Sequence, residues 1–370
     1  MKSVGIICEY NPFHNGHLYH IKKIKELFPN SLIILVLGGN FTQRGDVSLI
    51  DKWKKCDIAL NYVDLVVELP FVFACQSADI FAMGATDILK YLKVDYIVFG
   101  SENNDTDKLK RLANIQESDK YNQIVKNYLS KGFNYPTSLS KALKKMCGET
   151  IDSPNDLLGL SYIKNIKDSH IKPVSIKRTN DYLDKNLKDN ITSATSIREA
   201  LKTNVDIKKY VPIESYKYLN NVHFIDDYFD LLKYKIISED ISKYQTVDEG
   251  IENRIKKVIN NVSNMDELIK KVKSKRYTYN KLKRMFVHIL TGFTKEEAKN
   301  IKTSYIRVLG FNKKGQKYLN KIKKECEIPI ITKFEKNNKM LQIEDRVSKI
   351  YNLKISDDKL EEYEHKPIIH

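Results

Sequence analysis

Two histidines three residues apart, His14 and His17, flank Asn15-Gly16 in the stretch GIICEYNPFHNGHLYHIKKI, residues 5–24. Imidazoles offer ring N–H donors and ring nitrogen acceptors. Residues three apart on a helix share a face. Such a pair suits either metal ligation or anion binding. A helical metal pair is normally spaced i, i+4, with further ligands nearby. The i, i+3 spacing here favours an anion, and a phosphate explains it better than a metal does. Gly16 lets backbone and ligand approach closely. The plainer alternative is that both histidines only cap or pack. His20 continues the helix and reads as structural. A second stretch with phosphate chemistry is ITSATSIRE (191–199), where Ser193, Thr195 and Ser196 precede Arg198. Alone it reads as a Ser/Thr helix N-cap. Combined with the histidine pair, its hydroxyls and guanidinium read as phosphate ligands.

The surrounding elements explain how these groups meet. VGIICEY (4–10) reads as a strand, and HLYHIKKIKELF (17–28) as a helix with Leu18, Ile21, Ile24, Leu27 and Phe28 on one face. SLIILVLGG (31–39) is an apolar run of the kind buried on both faces of a parallel sheet. Next come a polar loop, a helix over DKWKKCDIALNYV, a strand at 64–70, a helix over about 77–92 and a strand at 94–100. This alternation predicts an α/β, doubly wound parallel sheet. Ligands then bind at the carboxyl ends of the strands, by the switch point. Residues 11–16 lie at such an end, facing the free N–H groups and positive dipole end of the following helix. Residues 105–170 read as helical, with Ser153-Pro154 starting one helix. KPVSIKRT (172–179) reads as a short strand. Beyond about residue 210 the chain reads mainly helical, with one late strand over 328–336. The last ten residues are expected to fray.

The chain has 370 residues and a net charge of +16. Residues 1–100 balance ten basic against ten acidic residues, whereas 251–320 holds eighteen basic against five acidic. So concentrated an excess points to a polyanion, and nucleic acid is the usual one. The five cysteines are scattered and never spaced C-x-x-C. Reduced thiols in a cytoplasmic protein are therefore expected, with no disulfides and no zinc site. No apolar run approaches bilayer length and no signal peptide is visible, so no membrane association is expected.

His14-Asn15-Gly16-His17, directly after the first strand, resembles the H-x-G-H signature of the nucleotidyltransferase superfamily, and ITSATSIRE resembles its second signature. EYNPFHNGHLYH, GGNFTQRGD, FGSEN, SPNDLLGLSYIK, ITSATSIRE and YIRVLGF occur in that order. Together, from residue 4 to about 312, they resemble the bacterial tRNA(Met) cytidine acetate ligases. The resemblance implies a nucleotidyltransferase-like catalytic domain over 1–210 and a helical, basic tRNA-binding domain over 211–370. It implies that ATP activates acetate as acetyl-adenylate, without acetyl-CoA. The acetyl group then passes to the wobble cytidine of elongator tRNA(Met), giving N4-acetylcytidine. The implied ATP-binding loop spans 7–20, with Ile7, Tyr10, Asn11, Pro12, Phe13, His14, Asn15, Gly16, His17 and His20 as contacts. Gly100, Asn155, Arg178, Ser196 and Arg198 complete it. Cys8 and Tyr19 receive no role.

His14 and His17 are the expected catalytic donors, and Arg178 and Arg198 the expected phosphate clamps. Asn40, Thr42, Gln43 and Arg44 crowd the loop after the second strand. They are expected to face the site and place acetate or cytosine, with Arg44 grouped among the catalytic residues. Magnesium should travel on the ATP phosphates. No dedicated metal site is visible, though Glu9 or Glu102 could assist. The basic run KKVKSKRYTYNKLKR (270–284) supplies the expected RNA contacts Lys275, Arg276, Lys283 and Arg284, with Tyr277 and Tyr279 available for base stacking. Tyr305, Arg307 and Phe311 are expected instead to organise the C-terminal fold. No protein partner is predicted. Two other readings share these residues. A small-molecule adenylyltransferase would leave the large basic surface without a purpose. A non-enzymatic RNA-binding protein would not need His14, Gly16, His17, Ser196 and Arg198 intact.

Overall fold

The structure is a computed structural model that describes residues 1–178, 191–355 and 361–370. Its first part alternates as the periodicity requires: β1 (Ser3–Cys8), α1 (Asn15–Leu27), β2 (Leu32–Gly38), α2 (Lys52–Leu60), β3 (Leu65–Leu69), α3 (Phe71–Ala74), α4 (Ala78–Tyr91) and β4 (Tyr96–Ser101). Helices α5 (Thr106–Glu117), α6 (Asp119–Ser130), α7 (Tyr135–Cys147) and α8 (Pro154–Ile166) follow, then β5 (Lys172–Lys177) and α9 (Ala194–Lys202). Strands β2 and β3 are buried along their whole length, which is why LIILVLG and LVVEL carry no alternation. Pro154 sits in the first turn of α8, where its missing N–H costs nothing.

The remaining elements are α10 (Ile213–Tyr216), α11 (Phe229–Ser238), α12 (Ile251–Val258), α13 (Met265–Val272), α14 (Tyr279–Thr291), β6 (Ile306–Phe311), α15 (Lys313–Ile322), β7 (Ile330–Ile331), α16 (Lys339–Asn352) and β8 (Ile368–Ile369). The described strands form one sheet in the order β5-β4-β1-β2-β3-β6-β7, with β8 beside β6. Every pairing is parallel except β3 with β6. Strand β1 has β2 on one side and β4 on the other, so the chain direction across the sheet switches at β1 and β4.

Three features of the second half differ from the sequence reading. The late strand expected over 328–336 shrinks to Ile330–Ile331, whereas Ile306–Phe311, within YIRVLGF, forms a full strand of the main sheet. Helix α16 was not anticipated. The last ten residues do not fray: Ile368–Ile369 pairs with β6, and Glu362 is buried. Contacts also cross residue 210. Ser215 Oγ donates to the Phe13 carbonyl (2.8 Å) and Tyr62 to Glu214 (2.7 Å). One apolar cluster runs from Leu32 to Ile355.

A buried charge cluster joins these parts. Lys52 of α2 reaches Glu68 of β3, Glu344 of α16 (3.3 Å) and Glu362 of the tail (2.9 Å). Arg307 of β6 pairs with Glu362 and lies 3.6 Å from Glu68. Burial opposes the Lys52 charge, but the three carboxylates raise its pKa overall.

Candidate active site

The carboxyl ends of β1 and β4 open into a cavity at the switch point, where an open α/β sheet binds ligands. Ile7, Tyr10, Asn11, His14, Gly16, His17, His20, Arg44, Gly100, Asn155, Arg178 and Arg198 line it. Among the described residues, the remaining expected contacts sit behind this wall. Phe13 packs against the His17 ring, with centroids 5.7 Å apart. Pro12 is buried in the turn before α1. Asn15 faces Lys209. Ser196 is buried, 2.9 Å from the hydroxyl of Ser193, which caps α9 by accepting from the Ser196 N–H (3.0 Å).

The two histidines are held by the helix they start. Gly16 N–H donates to His14 Nδ1 (3.0 Å), and His14 N–H donates to His17 Nδ1 (3.3 Å), a reciprocal cap of the first turn. The rings stand 4.0 Å apart. Because each Nδ1 accepts, the proton of each neutral ring belongs on Nε2. Among the described residues, neither Nε2 has a hydrogen-bond partner, and both residues face the cavity. Burial, with Arg178 and Arg198 nearby, pulls His14 down to about 3. Burial, then His14 and Arg178, holds His17 well below the usual range. His20, structural by its helical pattern alone but placed in the ATP loop by the family resemblance, also lines the cavity. Its Nε2 is buried without a partner among the described residues, and burial and Arg178 lower it to about 4.

These shifts predict a stability profile. A buried imidazole that stays neutral when folded contributes stability that is full above its unfolded pKa near 6.5 and declines as pH falls toward its folded value. Between pH 7.5 and pH 5, His14 alone should account for about 2 kcal/mol of lost stability. Urea unfolding of ligand-free chain at both pH values checks this. His14→Asn should show a correspondingly smaller loss.

Among the described residues, three guanidinium groups, Arg44, Arg178 and Arg198, share the wall with one carboxylate, Glu9. Arg198 is aimed by bonds to the Asn11 carbonyl (2.8 Å) and Thr195 Oγ1 (3.2 Å). Gly100 lies under the Arg178 side chain, whose Cγ would stand 3.3 Å from an added Cβ. Asn155, at the start of α8, donates its Nδ2 to Glu102 (2.6 Å). Glu102 is thus committed to the α8 N-terminus and does not line the cavity. Burial pushes the Glu9 carboxyl up, against the pull of the Gln43 N–H that it accepts at 2.6 Å and of Lys55.

The loop after β2 corrects the sequence reading. Gln43 and Arg44 face the cavity, but Asn40 and Thr42 are buried away from it. Asn40 accepts from Lys52 N–H (3.0 Å) and donates to Ser348 (3.3 Å), and Thr42 Oγ1 accepts from Asp46 N–H (3.1 Å). Lys55 was missed altogether. Its buried Nζ donates to the carbonyls of Glu9 (3.0 Å), Gly38 (2.7 Å) and Gly39 (2.7 Å), tying together the ends of β1 and β2. Three acceptors around three donors is the geometry of an ammonium.

The expected RNA contacts lie elsewhere. Lys275 and Arg276 are exposed, and Arg276 pairs with Glu249 (3.0 Å). Lys283 pairs with Asp46 (2.6 Å) and Arg284 donates to the Gln43 carbonyl (3.2 Å), so both brace the cavity loop. Tyr277 is buried and donates to the Asp248 carbonyl (2.6 Å), which leaves it unfit for stacking. Tyr279 is partly exposed and donates to Asp266 (2.6 Å). No group of three or more His, Cys, Asp or Glu among the described residues is arranged to hold a metal, and no described helix is long and apolar enough to cross a membrane.

A sheet of this order, with imidazoles and guanidiniums at the switch point, defines a nucleotide-binding enzyme fold. A family model of HIGH nucleotidyl transferases matches residues 1–366. The tRNA(Met) cytidine acetate ligase of Caldicellulosiruptor bescii is 42% identical, covering 96% of this chain and 95% of that protein. That of Clostridium acetobutylicum is 38% identical over the whole of both. The crystal structure of Thermotoga maritima TmcAL, apo, superposes with a TM-score of 0.93 at 30% identity, covering 100% of this chain and 99% of that one. The same protein bound with alpha-thio ATP gives 0.90. The chain belongs to the tRNA(Met) cytidine acetate ligases, within the HIGH nucleotidyl transferase family.

Proposed function

We propose that the chain activates acetate with ATP as acetyl-adenylate and acetylates the wobble cytidine of elongator tRNA(Met) in the cytoplasm. The observation that carries the first half is the pair of Nε2–H donors fixed by the α1 cap, facing a cavity with three guanidiniums. An acetate oxygen attacks the α-phosphorus, the bond to the bridging oxygen breaks, and pyrophosphate leaves. His14 and His17 donate to the phosphates as negative charge gathers on the leaving group. Arg178 and Arg198 clamp the phosphates, and Arg44 orients the acetate. Gly100 and Asn155 contact the nucleotide. Magnesium carried by the phosphates would supply charge neutralisation. Among the described residues that line the cavity, Glu9 is the one carboxylate able to meet it. In the second half the cytidine amine attacks the acetyl carbonyl, a C–N bond forms, the bond from the carbonyl carbon to the AMP oxygen breaks, AMP departs with the electron pair and the amine gives up one proton to solvent. A wobble base sits in a loop, so exposing it costs little. Residues 1–210 supply the ATP site in this reading, and 211–370 the main tRNA-binding surface, with Lys275 and Arg276 among its contacts.

Pyrophosphate release from ATP, with and without acetate and without RNA, tests the first half. Acetate-dependent release supports it. ATP binding with no release at any acetate concentration would reject acetate as the acid or make tRNA a prerequisite.

Gly45 offers a second check, because it seats the loop that carries Gln43 and Arg44. Its φ is +73°, and an added Cβ would fall 2.2 Å from the Arg284 nitrogen and 2.4 Å from the Lys283 carbonyl carbon. Both are backbone atoms, so the loop itself must move. Gly45→Ala should lower pyrophosphate release roughly tenfold to hundredfold, since a misplacement of about 1 Å can cost that much. Steady-state kinetics beside a thermal melt would separate misplacement from unfolding.

A further inference from the structure

We infer that the α6–α7 hairpin is a second RNA-contact surface, which takes the unpaired nucleotides of an RNA loop. This deepens the proposed function and rests on its RNA acceptor. Residues 119–147 hold six lysines (Lys120, Lys126, Lys131, Lys141, Lys144 and Lys145) against one acid, Asp119. None of the six has a carboxylate partner among the described residues, whereas on the neighbouring α5 Lys108 and Arg111 pair with Glu149 and Lys110 with Asp107. In the run chosen from sequence, three cations are already engaged: Arg276 and Lys283 are paired with carboxylates and Arg284 is tied to a backbone carbonyl. Uncompensated positive charge is what a phosphate backbone recognises.

Aromatic rings stand beside these cations. Phe133 is 40% exposed and Tyr135 is 49% exposed at the turn between the helices. Phe133 meets Tyr128 edge to face (5.8 Å between centroids), and Lys141 Nζ lies 5.0 Å from the Phe133 ring. Rings held open beside lysines are the stacking platform of single-strand binders. The surface is continuous with the expected one, because Asn134 Nδ2 approaches the Lys275 carbonyl at 3.5 Å. A chain of neighbours links it to α8, which lines the cavity. Burial and then the nearby Asp79 carboxylate push the Tyr135 hydroxyl up, and Asp79 accepts from Ser161 (3.2 Å) on α8, whose Leu158 and Tyr162 line the cavity.

The test measures binding of a tRNA anticodon stem-loop, with cytidine at the wobble position, across a salt series. The Lys131→Ala/Phe133→Ala/Tyr135→Ala/Lys141→Ala chain should bind at least tenfold more weakly. Its slope of log K against log salt should be shallower by about one to two. Its acetate-dependent pyrophosphate release should be unchanged. Unchanged affinity and slope would overturn the surface. So would an equal loss from Lys317→Ala/Lys321→Ala on α15, because general attraction would then explain both. If the fourfold variant loses pyrophosphate release, Phe133→Leu/Tyr135→Leu carries the test, with at least tenfold weaker binding expected and unchanged binding overturning the proposal. An unaltered chain that releases pyrophosphate but never binds the stem-loop would overturn the RNA acceptor itself, and this surface with it.

Discussion

The His14→Asn/His17→Asn chain is expected to release pyrophosphate roughly 10²–10⁴-fold more slowly than the unaltered one, while folding normally. Asparagine is chosen because His14 has two jobs. Its Nδ1 caps α1 by accepting from Gly16 N–H, and replacing such a cap by alanine would cost about 1 kcal/mol of stability. The asparagine carbonyl oxygen can keep that bond. What it lacks is the far side of the ring, the Nε2–H that faces the cavity. The two losses are therefore separable. An interaction that strengthens as charge builds on the leaving pyrophosphate should depress kcat with little change in KM for ATP. If kcat is kept and only stability falls with alanine, the histidines are caps and no more, and the guanidiniums must carry the leaving-group charge. A loss confined to KM would mean ground-state binding rather than catalysis.

The pH behaviour of the same pair adds a constraint. In the ligand-free chain both rings are held neutral by burial and neighbouring cations, so in the proposed reaction they would meet the phosphates as neutral imidazoles. The profile of kcat/KM for ATP, which reports the free enzyme, should lack the inflection near 6.5 that an ordinary histidine would give. Protonation at Nδ1 would also break the reciprocal cap on which the geometry depends.

The cavity at the start of α1 was legible in the sequence because its parts are local. A strand, a turn and a helix start lie within twenty residues, and the functional groups are dictated by what a helix N-terminus presents. Groups supported across the chain were not. Thr42 and Asn40 look identical in kind to Gln43 and Arg44, and only the turn between Thr42 and Asp46 decides which face inward. Tyr277 was read as a stacking ring because its neighbours are cations, but its hydroxyl satisfies a backbone carbonyl twenty-nine residues away. Arg307 interrupts the apolar pattern of β6, which hid a strand whose burial depends on Glu362, fifty-five residues on. One signal was available. Glu68 stands alone in LVVEL, and a carboxylate in a fully buried strand demands a cation from elsewhere.

That cation is Lys52, and Lys52→Met should lower folding stability by about 3–5 kcal/mol. A methionine fills much of the same volume, so the effect is electrostatic rather than a cavity. Removing the ammonium leaves Glu68, Glu344 and Glu362 with Arg307 as the remaining buried cation of the cluster. Burial and Glu68 already push the Glu344 carboxyl up, whereas Glu362 is held down to about 2 by Lys52 and Arg307 against the opposing effect of its burial. Without Lys52 both carboxyls should take up protons more readily. The sign of the pH dependence follows. The Glu362 contribution is present above the ordinary carboxylate pKa and declines as pH falls toward about 2. In Lys52→Met that window should move upward, so the variant should be least stable relative to the unaltered chain near neutral pH and partly recover toward pH 5. Urea unfolding at pH 7.5 and pH 5 measures both values. Because the cluster spans α2, β3, β6, α16 and the tail, the first region to open should be the carboxyl-terminal one. Amide exchange would show this as loss of protection at Ile368 and Ile369 beside β6 before loss in β1 and β2. A variant as stable as the unaltered chain at both pH values would mean that the buried carboxyls are neutralised by protonation alone, and that Lys52 does not hold the two halves of the sheet together.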